Sequence, residues 1–378
     1  MPAPPVKPAP PAPPAPHQTG RQTGPAPRQS GSRILTYREA GVDIEAKEEI
    51  LAGVRARIRA TYGAGALDAG DGFGGLFRLT GYRDPVIVSS IDGVGTKTRL
   101  ALWSGRPRQA GTDIVAHGAN DVLCQGAAPL FMLDYVASAA LDPAVVSEVI
   151  EGIADACVAQ GIALLGGETA EMPGVYARRE LDIVGCTVGA VERDDVITGA
   201  RIRPGDAVIG LGSDGLHTNG YTLARAVLLP RGSREAIRRA LARKLPGLGE
   251  TVGEALLRPH RPYARPVLAL RRHLALHGVA HVTGGGLPGN LVRILPDGCH
   301  AALVRGRWPV PPIFTVIQRR GRIADDEMFR TFNMGLGLVL VVPRASAAAA
   351  VRLLETAGER AWVVGEITSG IRGVEIRA

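Results

Sequence analysis

The sequence predicts an α/β fold made of two layered domains, and three observations carry that expectation. Strand-like and helix-like segments alternate along nearly the whole chain. A length of 378 residues, at about 150 per domain, asks for two domains or three. A polar, turn-rich joint, RIRPGD at 201–206, divides the alternation into two runs. The expected organisation is a tail over 1–32, an N-terminal domain over 33–200 and a C-terminal domain over 201–378.

Each element has a local reason. Eleven of the 28 prolines fall in residues 1–30 among Ala, Gln, Gly and Thr, a composition that buries too little apolar surface to offset ordering entropy. We therefore read 1–32 as a disordered tail. PVIVSSI at 85–91 is rich in β-branched residues and runs into the glycine-rich DGVGTK at 92–97, so a loop should open off a strand end. Over 112–124, Ile114, Val115, Val122 and Leu123 recur at helical spacing, with Thr112 as the expected N-cap. Asp113, His117, Asn120 and Asp121 then share one helix face. PLFMLDYVA at 129–137 reads as a strand. Asp142 and Pro143 form an N-cap and first-turn pair, and Gly161 a stop, for a helix over 143–160. A short buried strand at 162–165 should lead into a loop, GGETAEMPG at 166–174, before a strand at 181–191.

The second run begins with a strand at 207–211, a loop GSDGLHTNG at 212–220 and a helix from about Tyr221. A further loop, HVTGGGLPGN at 281–290, should open a helix ending near Leu295, and FNMGLGLVLVV at 332–342 reads as a buried strand.

Composition removes several function classes. No stretch reaches the ~18 consecutive apolar residues of a membrane span, and proline crowds the place where a secretory h-region would lie. We expect neither membrane association nor export. The four cysteines, at 124, 157, 186 and 299, form no CxxC pair, which fits a reducing cytoplasm without a zinc cage or disulfide framework. The net charge of +8 is local, because residues 231–272 carry eleven Lys/Arg against three acids. Arg238, Arg239, Arg243 and Lys244 there read as the solvated side of a helix. Without interleaved aromatics, no nucleic-acid partner is expected.

Among the motifs, GLGSDG at 210–215 matches GxGxxG after a strand, but LHTNG follows where a dinucleotide fold needs a helix. It is better read as a loop touching phosphate or substrate. His273, His277 and His281 stand four apart, yet Gly278 interrupts the helix that zinc ligation would need. His281 alone precedes a glycine loop and is expected to face a ligand. Asp92, Asp121 and Glu168 sit at separate element ends beside glycine or polar neighbours, as Mg²⁺ with a polyphosphate requires, and Lys97 offers positive charge in the Asp92 loop. The plainer alternative is that Asp92 and Asp121 only cap turns and helices. Residue chemistry alone thus reaches an Mg²⁺-nucleotide enzyme.

The motifs GFGGLFRL (72–79), DGVGTK (92–97), NDVLCQGAAPLFMLDY (120–135), GGETAEMPG (166–174), GLHTNGY (215–221), HVTGGG (281–286) and RTFNMGLG (330–337) occur in an order that resembles the AIR synthetase, or phosphoribosylformylglycinamidine cyclo-ligase, family. The resemblance spans about residues 35–362. It implies a cytosolic homodimer of purine biosynthesis whose N-terminal sheets pair into a β-barrel beside a C-terminal α/β sandwich. It also implies ring closure of formylglycinamidine ribonucleotide to aminoimidazole ribonucleotide with ATP and Mg²⁺.

By that resemblance, Asp92, Asp121 and Glu168 hold the metal, with Lys97 neutralising charge during phosphoryl transfer. Gly72, Gly74 and Gly75 form a lid, while Gly93, Thr96 and Asn120 contact nucleotide. His217, Thr218 and Asn219 meet the formamidine or transferring group, and His281 with Gly284, Gly285 and Gly286 meets the ribonucleotide phosphate; the last two roles are interchangeable. Asp113 and Asn120 are expected to orient Asp121. Ala128 and the 214–216 turn depart from the family pattern. Sister enzymes fit less well: no cysteine precedes Cys124, as selenophosphate synthetase would need, and the chain ends in Ile376, Arg377 and Ala378 without the cysteine of the hydrogenase-maturation relative. Thiamine monophosphate kinase would lack the GGETAEMPG and HVTGGG pair.

Overall fold

A computed structural model describes residues 35–70 and 72–378 of the chain; the expected tail lies outside these described residues. The N-terminal half contains α1 (Ile44–Ala60), the short strands β1 (Ala66–Leu67) and β2 (Leu76–Phe77), β3 (Pro85–Gly93), α2 (Lys97–Trp103), α3 (Pro107–Leu123), β4 (Ala128–Ser138), α4 (Pro143–Gln160), β5 (Ala163–Glu171) and β6 (Leu181–Glu192). Strands β3, β6, β4 and β5 form one sheet in that order, antiparallel except for the β4–β5 pair. Helix α4 makes the crossover that a parallel pair requires.

Helix α4 obeys its sequence signals: Asp142 caps the Val145 amide at 3.4 Å and Gly161 ends the helix in the left-handed region. Helix α3 instead starts five residues before the expected point. Pro107 occupies its first turn, and the Thr112 hydroxyl donates to the Arg108 carbonyl inside the helix. The expected 166–174 loop is also corrected, since GGETAE continues β5 in register with β4, pairing Glu168 with Tyr135. The glycines there mark a close approach and not a turn: a Cβ on Gly167 would overlap the Asp134 carboxylate.

Helices α3 and α4 cover one face of this sheet, burying Ile114, Met132, Val136, Val149 and Ile153 together. Their backbones meet at Gly111 and Gly152, where any Cβ would run into the opposite helix. The other face is uncovered in the protomer and apolar, with Ile91 70%, Ile87 56% and Leu133 39% exposed.

The C-terminal half contains β7 (Ala207–Gly212), α5 (Tyr221–Leu228), α6 (Arg234–Leu241), α7 (Val252–Leu256), α8 (Ala264–Arg271), β8 (Gly278–His281), α9 (Gly286–Leu291), β9 (Cys299–Val304), α10 (Pro312–Gly321), α11 (Asp325–Thr331), β10 (Leu336–Val342), α12 (Ala347–Thr356), β11 (Ala361–Ser369) and β12 (Gly373–Arg377). Its six strands run β12-β9-β11-β7-β10-β8, with β12 parallel to β9 and the other pairs antiparallel. Strand β10 starts four residues later than expected because Asn333 turns the chain, accepting from the Gly335 amide and from Ser213 Oγ.

The basic stretch 231–272 folds into α6, α7, α8 and their connections. One connection, 258–263, straps the C-terminal domain onto α3, and that strap positions the site.

Candidate active site at the domain junction

Helix α3 presents the four polar residues that its periodicity placed on one face. Two of them grip the strap with three hydrogen bonds: Asp113 Oδ1 accepts the His260 amide at 2.8 Å, Asn120 Oδ1 accepts the Tyr263 amide at 2.8 Å, and Asn120 Nδ2 donates to the Arg261 carbonyl at 2.9 Å. His117 closes the set by placing Nδ1 2.7 Å from Thr218 Oγ1, in the loop after β7.

At the exposed end of this face, Asp92 at the end of β3 brings Oδ2 to 2.9 Å from His117 Nε2, which lies 3.5 Å from Asp121 Oδ2. The Asp121 carboxylate accepts from Ser90 Oγ at 2.9 Å and meets His281 Nδ1 at 2.7 Å. The His117 imidazole beside it holds the Asp92 carboxyl below its usual range. Burial raises Asp121, but His281, His117 and Ser90 together outweigh it and leave that carboxyl lowered too. Burial likewise opposes a charged His117, yet Asp92 and the nearby carboxylates more than offset it, so its pKa is raised. Ser90, Asp92, Asp121 and His281 share a cavity of about 470 Å³ with Thr283, Asn290 and Arg293.

Behind them stand two more imidazoles. His260 and His217 stack with ring centroids 4.2 Å apart, and burial drives both well below the ordinary histidine pKa. His260 Nε2 stands 3.2 Å from Asn120 Nδ2 and 3.1 Å from His281 Nε2. His260 Nδ1 lies 3.3 Å from Thr218 Oγ1. His217 adopts a positive φ of 59° and is fully enclosed, so it backs the cleft wall instead of facing a ligand.

A second, more open cleft of about 1000 Å³ is lined by Thr96, Thr218, Asn219, Gly284, Gly285, Glu327 and Arg330. It collects expected site residues from both domains. Gly286 lies at its edge with φ 62°, where a Cβ would overlap the Phe329 carbonyl.

Two expectations meet a different geometry. Lys97 does not reach a cavity: it and Asp113 are both 0% exposed, their charged atoms 2.6 Å apart, and Lys97 Nζ also donates to the Arg258 carbonyl at 2.8 Å. Burial pushes both toward neutrality, lowering Lys97 and raising Asp113. This pair is a clasp between α2, α3 and the strap. Glu168 does not join Asp92 and Asp121 within the protomer. It lies on β5, the opposite edge of the sheet from β3, which at ~4.8 Å per strand is about 14 Å away. There it is 57% exposed and pairs with Lys47 at 2.5 Å. Of the expected lid glycines, Gly75 lies on that same side, pressed against Leu165 so closely that a Cβ would come within 2.7 Å.

Sequence reasoning missed His260, which lay in the basic stretch, and gave His117 no role beyond a place on the helix face. The available signal was scarcity: the chain has 8 histidines, and four of them meet here.

Comparison with known proteins agrees with this architecture. The AIR synthase related protein N-terminal domain model matches residues 75–191 and the corresponding C-terminal domain model matches 203–376. The phosphoribosylformylglycinamidine cyclo-ligase of Trichlorobacter lovleyi is 46% identical over 88% of this chain and 95% of that protein. Those of Anaeromyxobacter dehalogenans and Symbiobacterium thermophilum are each 48% identical, over 89% and 90% of this chain and 96% of either protein. Among solved structures, thiamine-monophosphate kinase from Stenotrophomonas maltophilia has a TM-score of 0.63 at 20% identity, covering 86% of this chain and 95% of its own. The hydrogenase maturation protein HypE in complex with ATP has a TM-score of 0.64 at 20% identity, covering 89% and 93%. At those identities the likeness concerns the fold.

Proposed function

Because the chain belongs to the AIR synthase related family over both of its domains, we propose that it closes the imidazole ring of formylglycinamidine ribonucleotide in purine biosynthesis, at the cleft between Asp92, Asp121 and the Thr218–Asn219 loop. The products are 5-aminoimidazole ribonucleotide, ADP and phosphate. An amide oxygen is a poor leaving group. Breaking the bond between the γ-phosphorus and the ADP oxygen while bonding that phosphorus to the formyl oxygen gives an iminophosphate. The amidine-side nitrogen then attacks the formyl carbon, the C–O bond breaks, phosphate departs with the electron pair, and the nitrogen loses its proton.

The observation that carries the reading is the meeting of Asp92 and Asp121 on one cavity wall, where their side-chain partners are imidazoles and a hydroxyl. Among the described residues neither carboxylate pairs with a lysine or arginine, which fits a hard divalent cation. When bound there, Mg²⁺ supplies charge neutralisation to the transferring phosphoryl group. Asp92 and Asp121 hold it, and Ser90 and His281 fix the rotamer of Asp121. Gly93, the last residue of β3, and Thr96, in the turn before α2, face the nucleotide. Thr218 and Asn219, opposite Gly284, Gly285 and Arg330, orient the ribonucleotide. Lys97 and His217 act from behind, by holding α2, α3 and the strap together.

Glu168 and the loop at Gly72, Gly74 and Gly75 enter through a second protomer. The uncovered face bearing Ile87, Ile91 and Leu133 is the surface on which two N-terminal sheets would pair, giving a homodimer with sites shared across it. We place the division between the domains at residue 200 and the enzyme in the cytoplasm; no helix of the described residues is long and apolar enough to cross a membrane. The test is incubation with ATP, Mg²⁺ and formylglycinamidine ribonucleotide: one aminoimidazole ribonucleotide and one ADP per ring closed are expected, and ATP hydrolysis without ring closure would overturn the reading.

A further inference from the structure

The cation cavity contains a nitrogen donor that oxygen-only Mg²⁺ binding leaves without a purpose. His117 is 3% exposed, and its Nε2 stands 2.9 Å from Asp92 Oδ2 and 3.5 Å from Asp121 Oδ2. In spite of those distances this nitrogen has no hydrogen bond of acceptable geometry. Its other nitrogen is held at 2.7 Å by Thr218 Oγ1, the arrangement that fixes the ring of a ligating histidine. Both carboxylates are held as well, Asp121 by His281 and Ser90, Asp92 by the Gly93 amide at 2.6 Å.

We infer that His117 Nε2 is a direct ligand, with Asp92 Oδ2 and Asp121 Oδ2, of the divalent cation at this site, and that the site therefore takes Mn²⁺ more tightly than Mg²⁺. This rests on the ring-closing reading only in placing a cation at these carboxylates. Ligands about 2.1 Å from an octahedral ion lie about 3.0 Å from their neighbours, near the 2.9 Å and 3.5 Å edges at His117 Nε2. His117, Asp121 and His281 already offer ligand atoms within 4.8 Å of one another, and Asp92 must swing toward Asp121 to complete the proposed set. Mn²⁺ shares the carboxylate preference of Mg²⁺ but accepts an imidazole nitrogen more readily, whereas Mg²⁺ demands near-ideal octahedral oxygen ligation and retains its waters. The remaining coordination positions face the cavity, where phosphoryl oxygens or water complete the shell.

The test uses the full-length protein freed of metal by chelation. Free Mn²⁺ is titrated by electron paramagnetic resonance without nucleotide and in competition with Mg²⁺, and bound Mn²⁺ is read by electron spin echo envelope modulation. The expected result is Mn²⁺ binding about 10-fold or more tighter than Mg²⁺, with ¹⁴N modulation that is replaced when the unmutated protein is grown on ¹⁵N-histidine. His117→Asn keeps a polar group facing Thr218 but removes the ligating nitrogen. It should abolish the nitrogen modulation and weaken Mn²⁺ by about 10- to 100-fold, and Mg²⁺ by less. The labelling arm stands even if that variant folds poorly. Mn²⁺ bound with no nitrogen modulation, or modulation unchanged in His117→Asn, overturns the inference. Nitrogen modulation without turnover of formylglycinamidine ribonucleotide on either metal would instead overturn the ring-closing reading.

Discussion

Replacing Lys97 with methionine should remove stability, and not merely turnover. Lys97 and Asp113 are both 0% exposed and 2.6 Å apart, so the substitution keeps the length of the side chain but strands a carboxylate in the interior. Breaking a buried pair from one side costs about 3–5 kcal/mol. Asp113 retains the His260 amide at 2.8 Å and Gln109 Nε2 at 3.1 Å, which places the expected loss near the lower end, about 3 kcal/mol. The assay is urea unfolding followed by circular dichroism at pH 8 and pH 5.5.

The pH dependence has a definite sign. Burial already holds the Asp113 carboxyl above its ordinary value of 3.8, and loss of the ammonium raises it further. Between the unfolded and folded values the folded state binds a proton that the unfolded state does not. The penalty is therefore smaller at pH 5.5 and grows as the pH rises through the folded pKa. The double variant Lys97→Met, Asp113→Leu should recover part of the loss, because no unpaired charge remains. A loss below about 0.5 kcal/mol at both pH values, with turnover abolished, would refute the clasp and return Lys97 to the phosphate.

Other variants probe separate parts of the structure. Burial holds the Asp134 carboxyl at about 7, so ionising it costs stability as pH rises from the unfolded value of 3.8 toward 7 and then levels off. Asp134→Asn should be more stable than the parent at pH 8 by about 2 kcal/mol, discounted from a ceiling of about 4 because the residue is partly exposed, with the difference closing by pH 4 in thermal melts. Gly337→Ala should lower the thermal midpoint by several degrees and reduce turnover, because a Cβ there would overlap the Tyr263 hydroxyl and the His217 ring. An unchanged midpoint would show that the wall behind Thr218 is loosely packed.

Capped and periodic segments were legible in the sequence. Asp142, Pro143 and Gly161 fix α4 by local chemistry, and helical spacing put Asp113, His117, Asn120 and Asp121 on one face, where the structure has them. Glycine was less legible, because it serves turns and close packing alike: GGETAE was read as a loop although Gly167 lies in a strand beside Asp134. The burial of Lys97 was hidden for a related reason. A lysine in a glycine-rich loop looks free in sequence, and its partners, Asp113 and the Arg258 carbonyl, are 16 and 161 residues away. His260 was hidden by its arginine neighbours, since a local charge count does not reveal which side of a strap faces inward.

The central claim is that Asp121 of one protomer and Glu168 of another serve one active site. Its most direct test mixes two inactive homodimers, Asp121→Asn and Glu168→Gln, lets their subunits exchange, and measures aminoimidazole ribonucleotide formation. Shared sites leave each mixed dimer with one doubly altered site and one intact site, so random exchange should restore about one quarter of the parent activity. If mixing restores none although exchange is complete, the carboxylates act within single protomers and the shared-site account is wrong.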